Sequence, residues 1–238
     1  MKIFVSTLFF VLVGLLATTG CSQKKEEPAS QTDMKKELMI SPSEDSATAT
    51  DTSKYGAMAQ KVYPIRNPKN PFVTIETDYG KMVLEMYRDV APAHADSFIS
   101  LSKKGFYNGT IFHRIINNFM IQGGDPKGNG TGNAGYYLKA EFSELPHQEG
   151  TLSMARAADP NSASCQFFIC LARNGMTANL DRQYTIFGQL IRGFDALHKI
   201  GDVPCMQNPN NPREVSKPNV DVYLRRAFVS DSVGNPIK

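Results

Sequence analysis

The apolar residues of this chain come in short bursts, and that rhythm limits the fold more than any other feature. Val73, Ile75 and Thr77 alternate with Thr74 and Glu76, and after Asp78-Tyr79-Gly80 a second alternating run carries Met82, Leu84 and Met86. Successive strand residues face opposite sides, so two such runs about a glycine-containing turn predict a β-hairpin. Further apolar runs at 111–116, 119–122, 151–154, 165–171, 185–190 and 220–229 predict more strands. Two stretches have helical spacing. One opens at Pro92, sets Ala95, Phe98, Ile99 and Leu101 on one face and stops at Gly105; the other spans 194–200. Many short strands, two helices and no internal repeat predict a mostly β fold, a closed or nearly closed antiparallel barrel.

The first residues follow another logic. Lys2 precedes an apolar run over 3–17 that ends in Thr18-Thr19-Gly20-Cys21. The run falls short of the roughly 20 residues that span a bilayer, and its positive start and small terminal residue read as a secretory signal. The Thr-Gly-Cys ending resembles the lipobox of bacterial lipoproteins, although Thr18 stands where Leu is usual and Leu16 lies further back. The resemblance implies lipid on Cys21, which would become the first mature residue and anchor the chain to a membrane. Residues 22–60 are rich in Ser, Thr, Ala, Lys and Glu, too polar to bury a core, and read as a flexible tether. Charge at Lys24-Lys25-Glu26-Glu27 is solvation or a sorting signal. Pro64, Pro68 and Pro71 mark an extended lead-in. The chain therefore divides into a lipoprotein signal at 1–20, a lipid-attached tether at 21–66 and a folded domain at 67–238.

A net charge of +3 without a clustered basic face argues against nucleic acid as a partner. Cys165 and Cys170 fall on opposite faces of one predicted strand and cannot bridge each other; Cys205 could pair with either, but free, packed thiols are the expectation for all three. His94, His113, His147 and His198 lack ligand spacing, so no metal or other cofactor is expected. The glycine-rich segment 123–132 lacks the Gly-Lys-Ser/Thr ending of a phosphate loop and is followed by strand-like residues. It reads as a turn-rich loop, and 204–218, with its prolines and asparagines, as a surface loop.

One segment concentrates chemistry: Phe112-His113-Arg114-Ile115-Ile116, then Phe119-Met120-Ile121-Gln122-Gly123-Gly124-Asp125. Alternation sets Arg114 opposite His113 and Ile115. An arginine among Phe112, Phe119 and Met120 needs its fork paired, and alone it would more often be structural than catalytic. Two later segments change that balance: Ser153-Met154-Ala155-Arg156 followed by Gln166-Phe167-Phe168-Ile169, and Asn179-Leu180-Asp181 through Tyr184. In this order and spacing the segments resemble the cyclophilin family of peptidyl-prolyl isomerases, over about 72–229.

The resemblance implies a closed eight-stranded antiparallel barrel capped by two α-helices, with an outer groove that turns Xaa–Pro bonds without a cofactor. It implies Arg114 as the catalytic arginine with Gln122 beside it, and Phe119, Met120, Phe168 and Leu180 as the proline pocket. Gln166 matches a polar site residue, and Ala155 and Arg156 the backbone segment that pairs with bound peptide. Three positions depart from the family pattern: Arg156 follows Ala155 where Asn is common, Tyr184 often is His, and Asn179 replaces Trp. The last predicts weak cyclosporin binding. The expected partners are proline-containing polypeptides, met by a monomer held at the cell envelope. The alternatives are a proline-segment-binding chaperone module that needs no turnover, and an adhesion or scaffold lipoprotein using the barrel surface.

Overall fold

A computed structural model describes residues 52–237. The signal at 1–20, Cys21 and the tether up to residue 51 lie outside the described residues. Helix α1 (Thr52–Ala59) comes first, then the predicted hairpin as β1 (Phe72–Thr77) and β2 (Gly80–Met86). Helix α2 (Pro92–Lys103) follows, then the short strands β3 (Thr110–Ile111), β4 (Arg114–Ile116) and β5 (Met120–Gly123). After a long loop come β6 (Thr151–Met154), β7 (Phe167–Cys170), the single turn α3 (Gly175–Ala178), β8 (Ile186–Arg192) and α4 (Phe194–Gly201). The chain closes with β9 (Cys205–Asn208), β10 (Asn211–Pro218) and β11 (Tyr223–Ser230).

Alternation does what the sequence requires of it. Ile115 pairs across to Ile121, Ile121 to Ile169, and Ile169 to Leu152, so one row of branched side chains lines the inside of four strands. All four are buried. Phe98 of α2 enters this interior against Tyr107, Phe167 and Phe187, with ring centroids 4.9, 5.2 and 5.5 Å away. Each such ring contributes about 1.5–3 kcal/mol by leaving water. α2 packs on β8 and β11, and α4 on β2, β4 and β5. Cys165, Cys170 and Cys205 are free thiols.

The expected closed barrel of eight strands gives way to a curled antiparallel sheet of nine, in the order β3-β11-β1-β2-β8-β6-β7-β5-β4. The predicted strand at 111–116 explains the difference. Phe112 is fully buried and its N–H donates to the Val222 carbonyl at 2.9 Å. The segment thereby breaks at Phe112-His113 into β3, bound to β11, and β4, bound to β5. These two end strands share no ladder. A lone bridge from Ile111 to Asp125 links the β3 side to the residues just beyond β5.

Two further expectations change. The segment 204–218 is no loop: β9 and β10 pair into a separate two-stranded sheet packed against β4. Ordered structure also starts before residue 67, since α1 lies against α4. Tyr55 is buried there and its hydroxyl donates to Asp202 Oδ2 at 2.7 Å. Composition missed α1 because one tyrosine and Met58, packed on the core, suffice to dock so short a helix. The lead-in at 64–71 is fixed by a buried carboxylate. Glu85 accepts from the N–H groups of Arg66 and Asn67 (2.8 and 2.9 Å) and from Asn70 Nδ2 (2.9 Å).

Candidate active site

The face of β4, β5 and β7 opposite the isoleucine row carries the site. The same register that pairs Ile115 with Ile121 pairs Arg114 with Gln122, Gln122 with Phe168, and Phe168 with Ser153. The predicted residues thus become cross-strand neighbours, each within reach of the next. Met120 lies diagonal to Arg114 on that face.

Loops complete the walls. The β4–β5 turn places Asn118 at φ +58°, a conformation asparagine tolerates, and this brings Phe119 over the strand edge. Across the cleft, Asn174 caps α3 by accepting from the N–H groups of Met176 and Thr177. The turn that follows delivers Leu180, then Tyr184, whose N–H donates to the Leu180 carbonyl at 3.1 Å. The result is a cleft of about 230 Å³ with Phe119, Met120, Phe168 and Leu180 as apolar lining, Tyr184, Ala155 and Arg156 on the rim, and Arg114 and Gln122 at the polar end. Phe168 sits edge-on to Tyr184 at 5.8 Å.

A polar relay crosses the same surface. Arg114 Nη1 donates to Gln122 Oε1 (3.2 Å), Gln122 Nε2 to Gln166 Oε1 (3.1 Å), and Gln166 Nε2 to the carbonyls of Gly130 and Gly132 (3.0 and 2.9 Å). Gln166 therefore stands outside the apolar cleft, on a second one of about 300 Å³ that shares Gln122, Ala155 and Arg156 with it. The loop holding that end is organised by its own buried Asp125, which accepts from the N–H groups of Lys127 (2.8 Å), Asn129 (3.1 Å) and Gly130 (2.5 Å). Burial raises the Asp125 pKa, but these donors outweigh it and hold the carboxyl below its usual range. Amides turned inward onto a carboxylate cannot cradle a phosphate, in keeping with the turn-rich reading. Gly132 is required there, since a Cβ on it would meet Asp125 Oδ1 at 1.9 Å.

Two residues that sequence reasoning missed, Glu214 and His147, support the site. Glu214 of β10 takes the free edge of Arg114, Nε to Oε1 at 2.8 Å and Nη2 to Oε2 at 2.7 Å. His147, wholly buried, stacks beneath Phe168 at 6.0 Å and is gripped by Asp181 Oδ1 and Ser153 Oγ, both at 3.1 Å. Burial lowers the His147 pKa against the opposing pull of Asp181, so the ring is neutral and locked. Asp181 also binds Arg173 at 2.8 Å, and its donors overcome burial to bring its pKa down to about 2. Neither Glu214 nor His147 had a local signal, because each meets its partners only through the fold.

The Arg156 guanidinium lies over the Tyr184 ring at 4.5 Å and spends its donors on carbonyls. Nε and Nη2 reach the Gln183 oxygen (3.2 and 3.0 Å), and Nη1 those of Ala157 and Ala158 (2.9 and 3.1 Å). Asn179 ends α3 and does not line the cleft. No cysteine reaches the cleft among the described residues, and burial pushes the thiols of Cys165 and Cys170 up to about 11 and about 12. What remains is an apolar slot with a fixed cationic donor at one end, suited to binding a small ring and stabilising a polar twisted state.

Comparison with known proteins agrees with that chemistry. Residues 72–224 match the family described as cyclophilin type peptidyl-prolyl cis-trans isomerase/CLD. A peptidyl-prolyl cis-trans isomerase of Acinetobacter baylyi is 44% identical over 139 residues, covering 57% of this chain and 74% of the relative. One from Helicobacter pylori is 39% identical over 152 residues, 60% of this chain and 91% of the relative. Among solved structures, a cyclophilin type peptidyl-prolyl cis-trans isomerase of Cryptosporidium parvum, crystallised in the presence of the dipeptide Ala-Pro, superposes with a TM-score of 0.61. It is 34% identical, and the match covers 67% of this chain and 99% of that one.

Proposed function

The chain belongs to the cyclophilin-type peptidyl-prolyl cis-trans isomerase family and accelerates rotation about Xaa–Pro bonds; from that premise we propose that Arg114 is its catalytic donor and exported polypeptides its substrates. The observation that carries the catalytic reading is Arg114 Nη1, held by Gln122 at the polar end of a slot lined by Phe119, Met120, Phe168 and Leu180.

Rotation is slow because C–N resonance sets a barrier of about 18–20 kcal/mol. Twisting the bond removes that resonance and returns the lone pair to the proline nitrogen, making it a better acceptor. A donor aimed at this nitrogen binds the twisted state more strongly than either planar one, which is the condition for acceleration. The apolar slot holds the pyrrolidine ring while the acyl side turns, and Ala155 and Arg156 offer backbone along which peptide is laid. No bond is made or broken. A single preorganised donor of this kind contributes about 3–4 kcal/mol, a few hundredfold in rate. Arg114→Ala is accordingly expected to lower kcat/KM on a proline-containing peptide by about a hundredfold or more. Unchanged turnover would remove Arg114 from the mechanism.

The absence of an aromatic side chain at Asn179 supports weak cyclosporin affinity, and isothermal titration with the drug tests it. Placement in the cell envelope, as a lipid-anchored protein assisting the folding of exported proteins, rests on Lys2, the apolar run and Cys21. Radiolabelled palmitate should enter the wild-type chain and not Cys21→Ala. Equal labelling of the two would refute the anchor.

A further inference from the structure

We propose that Glu214, carried on the β9–β10 hairpin, is a positioning residue for the reaction: it fixes one edge of the Arg114 guanidinium so that the opposite corner, Nη1, faces the bound Xaa–Pro bond. The inference deepens the reading of Arg114 as catalytic donor and rests on it.

Arg114 starts β4, the end strand of the nine-stranded sheet. β5 flanks it on one side and supplies Gln122 and Met120. The other side would be open to water, and a long arginine side chain there would sample many rotamers. Glu214 occupies that side. Its two oxygens meet Nε and Nη2 at 2.8 and 2.7 Å, the planar fork-on-fork arrangement that admits only one orientation of the guanidinium. With that edge engaged, Nη1 is directed at Gln122 Oε1 (3.2 Å) and toward Met120 Sδ (3.8 Å), both at the cleft.

The carboxylate is itself held. Ser216, fully buried, donates to Glu214 Oε1 at 2.6 Å, and Asn208 of the paired strand donates to Ser216 Oγ at 3.1 Å. The hairpin is tied to the body of the site at two more points. Cys205 Sγ lies 3.7 Å from the Ile115 carbonyl, and Asn210 Nδ2 donates to the Asn129 carbonyl at 2.8 Å in the Asp125 loop. Glu214 is therefore a backed support reaching Arg114 across 100 residues of sequence. Such a support removes the ordering cost of the donor before substrate arrives, the condition under which a charged donor contributes most to rate. A proline ring bound in the slot meets Nη1, while the charge on the Nε–Nη2 edge is already balanced.

Peptide isomerisation by Glu214→Gln and Glu214→Ala, each alone and combined with Arg114→Ala, tests the assignment. Both single variants are expected to lose between about ten- and a hundredfold in kcat, with KM within about twofold. On the Arg114→Ala background the Glu214 change should add less than about twofold, since its effect passes through the arginine. The Arg114 Nε–H resonance should be protected from exchange in the wild-type protein and should lose that protection in Glu214→Ala. The near-isosteric Glu214→Gln carries the test if the alanine variant is misfolded by near-ultraviolet circular dichroism. Unchanged or raised kcat in Glu214→Gln would overturn the proposal, a raised value marking the contact as inhibitory. A full loss persisting without Arg114 would also overturn it. Turnover surviving in Arg114→Ala alone would refute the arginine's role and this one together, whereas an inactive Arg114→Ala beside a normal Glu214→Gln would refute only this one.

Discussion

At the scale of single residues, charge balance separates the two arginines of the groove. Arg114 is paired with Glu214, whereas Arg156 meets only carbonyl oxygens and the Tyr184 ring, and no carboxylate pairs with it among the described residues. An unpaired cation on the rim favours substrates with an acidic residue beside the proline. Glu-Pro peptides should therefore outperform Lys-Pro peptides, and Arg156→Asn should shrink the ratio of their kcat/KM values by roughly two- to fivefold, the worth of an exposed ion pair. An unchanged ratio would place the substrate's flanking side chain elsewhere. Arg114 was legible in sequence only through its company, since an arginine between apolar neighbours is as well explained by a structural ion pair. The fold supplies that pair and the cleft together.

At the scale of elements, the outer row Arg114–Gln122–Phe168 follows from alternation plus register, so the strands that made the core legible made most of the site legible too. The β9–β10 hairpin was not. Its prolines and asparagines look like a loop, and its pairing is irregular, with register shifts on either side of Val215. The β1–β2 hairpin was plain, yet Glu85, a polar position of its alternation, is fully buried. Three donors from the 66–70 turn explain it. Glu85→Ala would strand those donors, the buried Asn70 amide among them, and should cost about 3 kcal/mol. That is roughly 6–12 °C in Tm for a domain of this size. A melting temperature within a degree of wild type would show that the turn holds without it.

For the whole molecule, three histidines set the response to acid: His94 and His147, both buried, and the half-buried His113. Burial lowers the pKa of His94, His113 and His147, against smaller opposing pulls from Glu141, Asp125 and Asp181. Among the described residues, neither ring nitrogen of His113 has a hydrogen-bond partner, nor has Nε2 of His94. Because the folded values lie below the unfolded one near 6.5, unfolding takes up protons once pH drops below it. Stability is thus full above about pH 6.5 and declines beneath, by up to about 1.4 kcal/mol per pH unit for each histidine kept neutral. Depressed carboxylates such as Asp181 add their loss only at much lower pH. Melting curves at pH 7, 6 and 5 should show Tm falling, and a flat profile would refute this. Strand rhythm, the inward face of α2, the position of α4 and, through motif order and spacing, the resemblance to the family were all present in the sequence. These depend on side-chain periodicity and on short segments whose geometry is local. The strand count, the open ends of the sheet, the docking of α1 and the pairing of Arg114 with Glu214 emerge only on folding. Each of those turns on which distant groups meet. A carboxylate 100 residues away carries no mark of its partner until the chain has folded.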